Sequence, residues 1–377
     1  MPGTPNRQAE KTTAMRMRWE ERAHEPPPST GPGTMLGAVA IATTTLLACV
    51  APPSPRILPA SGIEGQARVS MTARRRPGDG PFRDVYFVLD PESNAARTAE
   101  KWRASRPADA AAIDKIAGQP AAAWIGNWSN PVELEVDRLV SLKTRAGGLP
   151  MMIIYNLPFR DCGQYSAGGA GSADGYRAWI RHVAAGIDDR RALVILEPDG
   201  LPMLTKCLSP EKQQERIALV RFALETLMAL PGVALYIDSG HSKWQPVSEM
   251  AARLKAAGID RADGFSLNVS NYQAVETELA YGRALSAALG GKHFVIDTSR
   301  DGNGPPVGVS PDDERAWCNP PGRALGPPQS TQTGEPLCDA FLWLKPPGES
   351  DGRCNGGPAA GMWWPERALE LARNARW

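Results

Sequence analysis

The sequence predicts an α/β fold, either an α/β barrel or a doubly wound sheet, on three observations. Short apolar runs recur from Val85 onward, and helical stretches separate them. The runs are continuously apolar rather than alternating, which is typical of strands buried on both faces of a parallel sheet. Acidic residues stand directly after several runs, where the carboxyl ends of parallel strands would bring them together.

Seven strands are predicted, each from a run of four or five mainly apolar residues. In chain order they occupy 85–89, 151–155, 192–196, 233–237, 265–269, 293–296 and 341–344. Helical spacing of apolar residues predicts helices at 133–144, 174–185, 210–229, 248–257 and 275–289. In the third of these helices, the face expected to pack on the sheet carries Ile217, Val220, Phe222, Leu224 and Leu227.

Residues 1–80 differ from the rest because they are rich in Pro and lack a lasting hydrophobic period. We expect a leader and linker there, and a folded domain at 81–377. Segment 35–50 is uncharged, is shorter than the about 20 residues of a membrane span, and suits an export signal better. The sequence from Leu46 to Cys49 resembles a bacterial lipoprotein cleavage box, which would leave a lipidated Cys49. An uncleaved anchor, a start at Met35 and a buried segment of a cytosolic protein are the alternatives.

The overall charge excludes a class of partners. The chain has 42 Lys and Arg against 41 Asp and Glu, for a net charge of +1. No field of either sign would recruit a polyanion, so we expect no nucleic-acid partner. Six Cys without a C-x-x-C pair exclude a zinc ribbon and a thioredoxin motif. Trp is abundant, with 11 residues against seven Tyr and seven Phe, which is the first functional indication.

Carboxylates follow five of the six strands predicted from residue 151 onward. Any one Asp at such a place is usually a helix cap or a solvated loop residue. Five such strand ends favour a shared site, because strand carboxyl ends open on one face of an α/β barrel. The residues are Asp161, the pair Glu197 and Asp199, Asp238, Asp297, and the pair Glu349 and Asp351.

Clustered carboxylates with few His suit acid–base catalysis on a neutral substrate, or a Mg²⁺ or Ca²⁺ site. Only His241 of the four His lies at a strand end, and neither a phosphate-binding glycine motif nor a G-x-S-x-G elbow is present. Glycoside hydrolysis needs two carboxyl groups with opposed tasks. Indole rings stack on sugar C–H groups, and Trp124, Trp244 and Trp317 lie in predicted loops. Trp179 and Trp343 fall in predicted elements and are expected to pack in the core.

At these strand ends the sequence resembles family 6 of the glycoside hydrolases, the inverting endoglucanases and cellobiohydrolases of β-1,4-glucan, and most of all secreted actinobacterial and mycobacterial endoglucanases. The resemblance covers about residues 80 to 377. It rests on Tyr155-Asn156 through Arg160-Asp161-Cys162-Gly163, Glu197-Pro198-Asp199, Asp238 through Trp244, Asn268 through Tyr272, Asp297 through Arg300, Trp317 through Pro320, and Lys345 through Gly352. The family fold, a distorted (β/α) barrel with fewer than eight strands and its active site at the strand carboxyl ends, agrees with seven parallel strands.

The resemblance also implies the roles of individual residues. Asp199 matches the general acid, and Asp161 matches the aspartate that raises the pKa of that acid and relays the proton of the attacking water. Asp351 matches the proposed base, whose role is disputed in the family. Asp238 matches an auxiliary acid, and Tyr155 the phenol that distorts the sugar at the cleavage site. The implied sugar-stacking residues are Trp124, Trp244 and Trp317; the implied hydroxyl-binding residues are His241, Asn271, Lys345 and Glu349.

Two disulfides are implied by the same resemblance, Cys162 with Cys207 and Cys318 with Cys354, each next to a catalytic Asp. Disulfides require an oxidising compartment, which agrees with a secreted or envelope-associated protein. Cys338 has no evident partner and is expected to pack as a small apolar residue.

Two positions depart from the family pattern. Ala167 stands where relatives usually have Ser, which would reduce activity if that hydroxyl holds the active-site water. Asp301 stands where Asn is more usual, and adds a negative charge near the cleft. The segments between Asp297 and Lys345 are short, which predicts an open cleft and internal cleavage rather than a tunnel.

The leading hypothesis is thus a monomeric inverting endo-β-1,4-glucanase that needs no metal or other cofactor and binds cellulose or cello-oligosaccharides. Attachment to the membrane would come only through the N-terminal segment. A catalytically weak or inactive carbohydrate-binding barrel is the second hypothesis, supported by Ala167. A metal-dependent hydrolase that uses the same acids is the third, and it predicts that a chelator removes activity.

Overall fold

A computed structural model describes residues 81–82, 85–311 and 313–377. The predicted leader, with its segment 35–50 and Cys49, lies outside the described residues. Within the described ranges, none of the helices has both the length and the apolar character that crossing a membrane requires.

Seven parallel strands form one sheet in chain order, each paired with the strand before it. They are β1 (Ala123–Ile125), β2 (Met151–Ile154), β3 (Ala192–Leu196), β4 (Val233–Asp238), β5 (Gly264–Leu267), β6 (His293–Asp297) and β7 (Cys338–Leu342). The Ala122 N–H donates to the Trp343 carbonyl at 3.0 Å, so the two ends of the sheet meet. The sheet is therefore curled into a distorted barrel, as predicted.

Helices connect the strands and cover the outer surface of the sheet. Those between strands are α3 (Val132–Arg145), α4 (Ala173–Ile187), α5 (Leu204–Cys207), α6 (Pro210–Met228), α7 (Val247–Ala257), α8 (Val275–Ala288) and α9 (Glu314–Trp317). Before β1 and after β7 lie α1 (Asn94–Trp102), α2 (Pro107–Ala117) and α10 (Pro365–Asn374). The five helices predicted from the sequence are all present, with ends that differ from the prediction by at most two residues.

The core has two layers because successive strand residues point to opposite faces. Met151 and Ile153 belong to a cluster inside the barrel, whereas Met152 and Ile154 pack outward with the helices. Both layers are buried, which explains why the strands read as continuous apolar runs. A third cluster joins α1, α2 and α10 around the fully buried Trp343.

The first predicted strand is wrong. Residues 85–89 form no strand; the N–H of Leu149, just before β2, donates to the Tyr86 carbonyl at 2.9 Å. Val85 and Phe87 pack on the inner core cluster, which accounts for their apolar character. The true first strand, β1, has only three residues and lies in an Ala-rich stretch that gives no strand signal.

The last predicted strand is shifted. It begins at Cys338 rather than at 341, and includes the polar Asp339. That carboxylate accepts the Tyr236 hydroxyl at 2.6 Å and contacts the His293 ring at 2.7 Å. A charged residue inside a strand interrupts the apolar pattern, although here its carboxylate has hydrogen-bond partners.

Candidate active site at the carboxyl ends of the strands

The carboxyl ends of the strands open into one cleft of about 840 Å³. Every catalytic and sugar-binding residue predicted from the sequence lines it except Asp238, which lies beneath its floor. The lining residues of that set are Trp124, Tyr155, Asp161, Asp199, His241, Trp244, Asn271, Trp317, Lys345, Glu349 and Asp351. The sequence-distant strand ends therefore converge as the barrel topology predicts.

Asp199 is presented to the cleft by a tight turn after β3. Glu197 and Asp199 both have left-handed backbone conformations, with φ of 53° and 67°, which non-Gly residues adopt mainly where surrounding contacts hold them. The Asp199 N–H donates to Asp238 Oδ2 at 2.9 Å, and the Tyr155 hydroxyl donates to Asp199 Oδ2 at 3.0 Å. The backbone and the carboxyl group of Asp199 are thus each held by one hydrogen bond, while the residue stays partly accessible.

The environment of Asp199 favours its protonated form. Burial raises its pKa from the usual value to about 7, the charge of Asp161 raises it as well, and the Tyr155 hydrogen bond opposes both. A carboxyl group with such a pKa carries a proton at near-neutral pH and can give it to a departing group.

Asp238 supports that turn from below. It is fully buried in effect, at 1 % exposure, and its Oδ2 accepts the N–H groups of Asp199 and Gly240. Burial, and then the charge of Asp199, raise the pKa of Asp238 well above its usual range. Asp238 therefore holds the backbone of Asp199 and does not itself line the cleft.

Glu197 fixes the same turn to the neighbouring strand. Its carboxylate accepts the Asn156 and Leu157 N–H groups and the Tyr176 hydroxyl, all within 3.1 Å. Burial raises the pKa of Glu197 to about 7, against these hydrogen bonds. No individual role was predicted for Glu197 from the sequence, and the structure gives it this anchoring contact.

Asp161 lies on a conformationally restricted loop after β2. Phe159, Asp161 and Cys162 all have φ between 49° and 56°. The Arg160 guanidinium holds the loop by donating to the backbone carbonyls of Tyr155 and Ser166 at 2.8 and 2.7 Å, and the Cys162–Cys207 disulfide ties it to α5. The loop is therefore held rigidly from both sides.

The carboxylate of Asp161 has one backbone donor and faces the cleft. Its Oδ2 accepts the Ser166 N–H at 2.7 Å. Burial raises the pKa of Asp161, whereas that hydrogen bond and the positive charge of Lys206 lower it. An Asp161 that is ionised would therefore regain a proton more readily than an ordinary carboxylate.

Asp351 is engaged much more completely. Arg300 Nη1 contacts its Oδ1 at 2.8 Å and its Oδ2 at 3.0 Å, in an ion pair whose side chains are 1 % and 8 % exposed. Oδ2 also accepts the Tyr272 hydroxyl at 2.9 Å and the Asn319 N–H at 3.0 Å. The second disulfide, Cys318–Cys354, closes this loop.

Aromatic side chains border the cleft on several sides. Trp124 meets Tyr155 edge-on, with ring centroids 5.3 Å apart, and its Nε1–H donates to the Leu344 carbonyl. Trp244 lies beside His241 at 5.3 Å. All three predicted platform residues, including Trp317, are only partly buried, so indole surface remains for a ligand.

Polar groups suited to hydroxyl recognition lie between these rings. Lys345 Nζ is 3.4 Å from Glu349 Oε2, and Asn271 Oδ1 accepts the Tyr272 N–H at 3.0 Å. Burial lowers the pKa of His241 to about 4, so its ring is neutral at near-neutral pH. A mixture of neutral donors, acceptors and one ion pair suits an uncharged, hydroxyl-rich ligand.

Several residues of the site were not predicted from the sequence to have a role. Arg160, Lys206, Tyr272 and Arg300 each act on a candidate catalytic carboxylate, yet a lone Arg, Lys or Tyr in a sequence gives no sign of its partner. Arg160, Tyr272 and Arg300 did fall inside the motifs quoted from the sequence, which was the available signal. Across the described ranges, no cluster of three or more His, Cys, Asp and Glu is arranged to hold a metal ion.

The model of the family described as Glycosyl hydrolases family 6 matches residues 82–375. Endoglucanase A of Thermobispora bispora is 45% identical over 81% of this chain and 66% of its own length. Endoglucanase A of Cellulomonas fimi is 46% identical over 77% of this chain and 62% of its own length. This chain thus spans less than two thirds of the length of either relative. Endoglucanase 1 of Streptomyces halstedii is 40% identical over 76% of this chain and 88% of its own length.

A solved structure shows the same fold. The endoglucanase Cel6 of Mycobacterium tuberculosis, in complex with a methyl-cellobiosyl-thio-cellobioside, superimposes with a TM-score of 0.74 at 43% identity. The match covers 78% of this chain and 99% of that one.

Proposed function

Because the chain belongs to family 6 of the glycosyl hydrolases, we propose that it is an endo-β-1,4-glucanase that cleaves internal glucosidic bonds with inversion. The observation that carries the proposal is Asp199, a cleft-facing carboxyl group whose pKa is raised to about 7. The endoglucanase names of relatives that are 40–46% identical support the substrate class.

Asp199 acts as the general acid in this proposal. Its proton passes to the glycosidic oxygen as the bond to the anomeric carbon breaks, so the leaving sugar departs as a neutral alcohol. The Asp161 charge keeps Asp199 protonated before the reaction, and the Tyr155 hydroxyl stabilises the carboxylate that forms. Asp238 is an auxiliary group that holds the Asp199 backbone.

Water activation is proposed to run through Asp161 rather than Asp351. Both oxygens of Asp351 already accept hydrogen bonds, so its main role is to anchor its loop to Arg300. The water oxygen attacks the anomeric carbon from the face opposite the leaving group, and a water proton passes to Asp161 directly or through a second water. Exchange with solvent then restores both acids, and the new anomeric hydroxyl has inverted configuration.

Sugar rings are proposed to stack on Trp124, Trp244 and Trp317, with Tyr155 pressing on the sugar at the cleavage point. Polar contacts to hydroxyl groups would come from His241, Asn271, and the Lys345–Glu349 pair. This combination holds a neutral polysaccharide by C–H contact and hydrogen bonds rather than by charge.

The proposed enzyme works outside the cell or at the cell envelope, as a monomer. Two disulfides lie beside the catalytic loops, which suits an oxidising compartment. Segment 35–50 would direct export, or hold the protein at the membrane through itself or a lipidated Cys49. In this arrangement 1–80 is the leader and linker, and 81–377 is the catalytic domain.

The test follows carboxymethylcellulose viscosity and reducing ends together, using the full chain with disulfides formed. A fast loss of viscosity with few new ends indicates internal cleavage, and proton NMR of the first product gives the anomer. Asp199→Ala should abolish turnover, whereas the matched control Asp189→Ala, an exposed residue outside the cleft, should retain it. Binding of cello-oligosaccharides without turnover by the wild type would instead identify a carbohydrate-binding barrel.

A further inference from the structure

Trp128 is a large aromatic side chain on the cleft wall that the proposed mechanism does not use. It lines the same cleft as Trp124 and Asp161, yet it is 54 % exposed. A single exposed apolar residue needs no explanation. Trp128 differs from such a residue because contacts on its protein side fix its orientation.

Three contacts hold the indole of Trp128. The Arg160 guanidinium carbon lies 4.9 Å from the ring centroid, and the ring is packed so closely on Gly126 that an added Cβ there would be 2.5 Å from it. Its Nε1–H also points to the Trp124 carbonyl, at 3.4 Å. Any side chain at Gly126 would displace the ring, so the backbone leaves room specifically for this indole.

Arg160 has another aromatic neighbour. Its guanidinium carbon is 4.7 Å from the centroid of Tyr155, so the cation contacts both rings. Its nitrogen atoms are directed to backbone carbonyls and to Asn127. The hydrogen bonds of the Arg160 guanidinium are therefore made within the protein. The surface that this part of the cleft wall presents to a ligand is the exposed face of the Trp128 indole.

We propose that Trp128 is an additional sugar-stacking platform, which binds a glucosyl unit of a long β-1,4-glucan beyond those held at the cleavage point. The inference rests on the proposed function for the identity of the sugar. The kind of ligand follows from the indole itself, which is held in one orientation, is half-exposed, lines the cleft and carries no charge. A pyranose presents C–H groups to such a surface, and immobilising the ring before binding reduces the entropy lost on binding.

Substrate length separates this role from a structural one. Trp128→Ala in the full-length chain should lower kcat/KM about three- to tenfold for cellohexaose and swollen cellulose, the size expected for one aromatic contact. The loss should be smaller for cellotriose, which is too short to occupy every position in the cleft. Trp128→Phe keeps a flat ring and should recover most of the loss. Leu142→Ala, an equally exposed apolar residue on α3, is the control.

Three results would overturn the proposal. An equal loss for every chain length would mean that Trp128 acts only by supporting Arg160. No loss at any length, or a loss that Leu142→Ala reproduces, would remove the sugar contact altogether.

Calorimetric titration of cellohexaose into Asp199→Ala, with and without Trp128→Ala, separates this inference from the proposed function. If the wild type cleaves no β-1,4-glucan, the proposed function fails, and the titration still decides on the platform. Weaker binding in the double variant supports the platform, and unchanged binding refutes it.

Discussion

Asp301 is a buried carboxyl group whose replacement by Asn should stabilise the protein at neutral pH. It is 4 % exposed, and neither carboxyl oxygen has a hydrogen-bond partner within the described part of the chain. A Cβ built on Gly326 would lie 1.6 Å from Asp301 Oδ1 and 2.3 Å from the Thr298 carbonyl oxygen. Two acceptor oxygens are therefore close neighbours, and only a protonated carboxyl or an amide can donate between them.

The charges around Asp301 have the same sign. Burial raises its pKa well above the usual value, and the negative charges of Asp297, Glu276 and Glu278 raise it further. The folded state therefore holds a proton that the unfolded chain has already lost. Stability should fall as the pH rises from the ordinary Asp pKa to the raised one, and stay low above it.

The Asn side chain presents an N–H₂ donor that does not titrate. Leaving a buried polar group unsatisfied costs about 1–3 kcal/mol, so Asp301→Asn should add about that much at neutral pH. Near the ordinary Asp pKa the difference should shrink, because the wild-type residue is then protonated in both states. Urea unfolding between about pH 4 and about pH 8 measures both quantities.

The matched control is Asp189→Asn, at an exposed site, which should leave the pH dependence of stability unchanged. The reasoning is refuted if Asp301→Asn unfolds with the same pH dependence as the wild type. A variant less stable than the wild type at neutral pH would show that the carboxylate is ionised and well solvated in place.

Four further outcomes test the site. Asp161→Asn should lower the pKa of Asp199, because the like charge that raises it is gone, so the alkaline limb of the pH–rate profile should move to lower pH. Tyr155→Phe should move the same limb to higher pH, because the hydroxyl that donates to the ionised Asp199 carboxylate is lost. If both variants moved the limb in the same direction, the assignment of Asp199 would be contradicted. Arg300→Met should lower the free energy of unfolding by about 3–5 kcal/mol, because it leaves Asp351 buried without its counter-ion. Denaturant unfolding measures this loss. A loss below about 1 kcal/mol would show that the pair is solvated. Incubation with EDTA should leave carboxymethylcellulose hydrolysis unchanged, and recovery of lost activity by added Mg²⁺ or Ca²⁺ would favour the metal-dependent hypothesis.

The parallel strands were predictable where both faces of the sheet are buried, as in Ala192–Leu196. The signal failed at β1, which has three residues and an Ala-rich surrounding, and at 85–89, where apolar residues fill the inner core without forming a strand. An apolar pattern reports burial, and a buried segment forms a strand only where a neighbouring strand pairs with its backbone.

The candidate site was predictable to the extent that its residues stand at strand ends or in motifs. Asp161, Asp199 and Asp351 could be found in that way, but their different environments could not. Whether a carboxylate is crowded by a like charge, as Asp199 is, or neutralised by Arg300, as Asp351 is, depends on residues far away in sequence. Trp128 shows the same limit, because its significance comes from Gly126 and Arg160 around it.

The sequential order of the strands bears on how the protein acquires its cleft during synthesis. Each strand from β2 to β7 pairs with the strand before it in the chain, so each of these pairings can form without waiting for a later strand. The contact between Ala122 and Trp343, and that between Trp124 and Leu344, join the two ends of the sheet and must wait for the last strand. Since Trp124 and Asp351 border the cleft from these two ends, a nascent chain has no complete cleft until the residues around Asp351 have been translated.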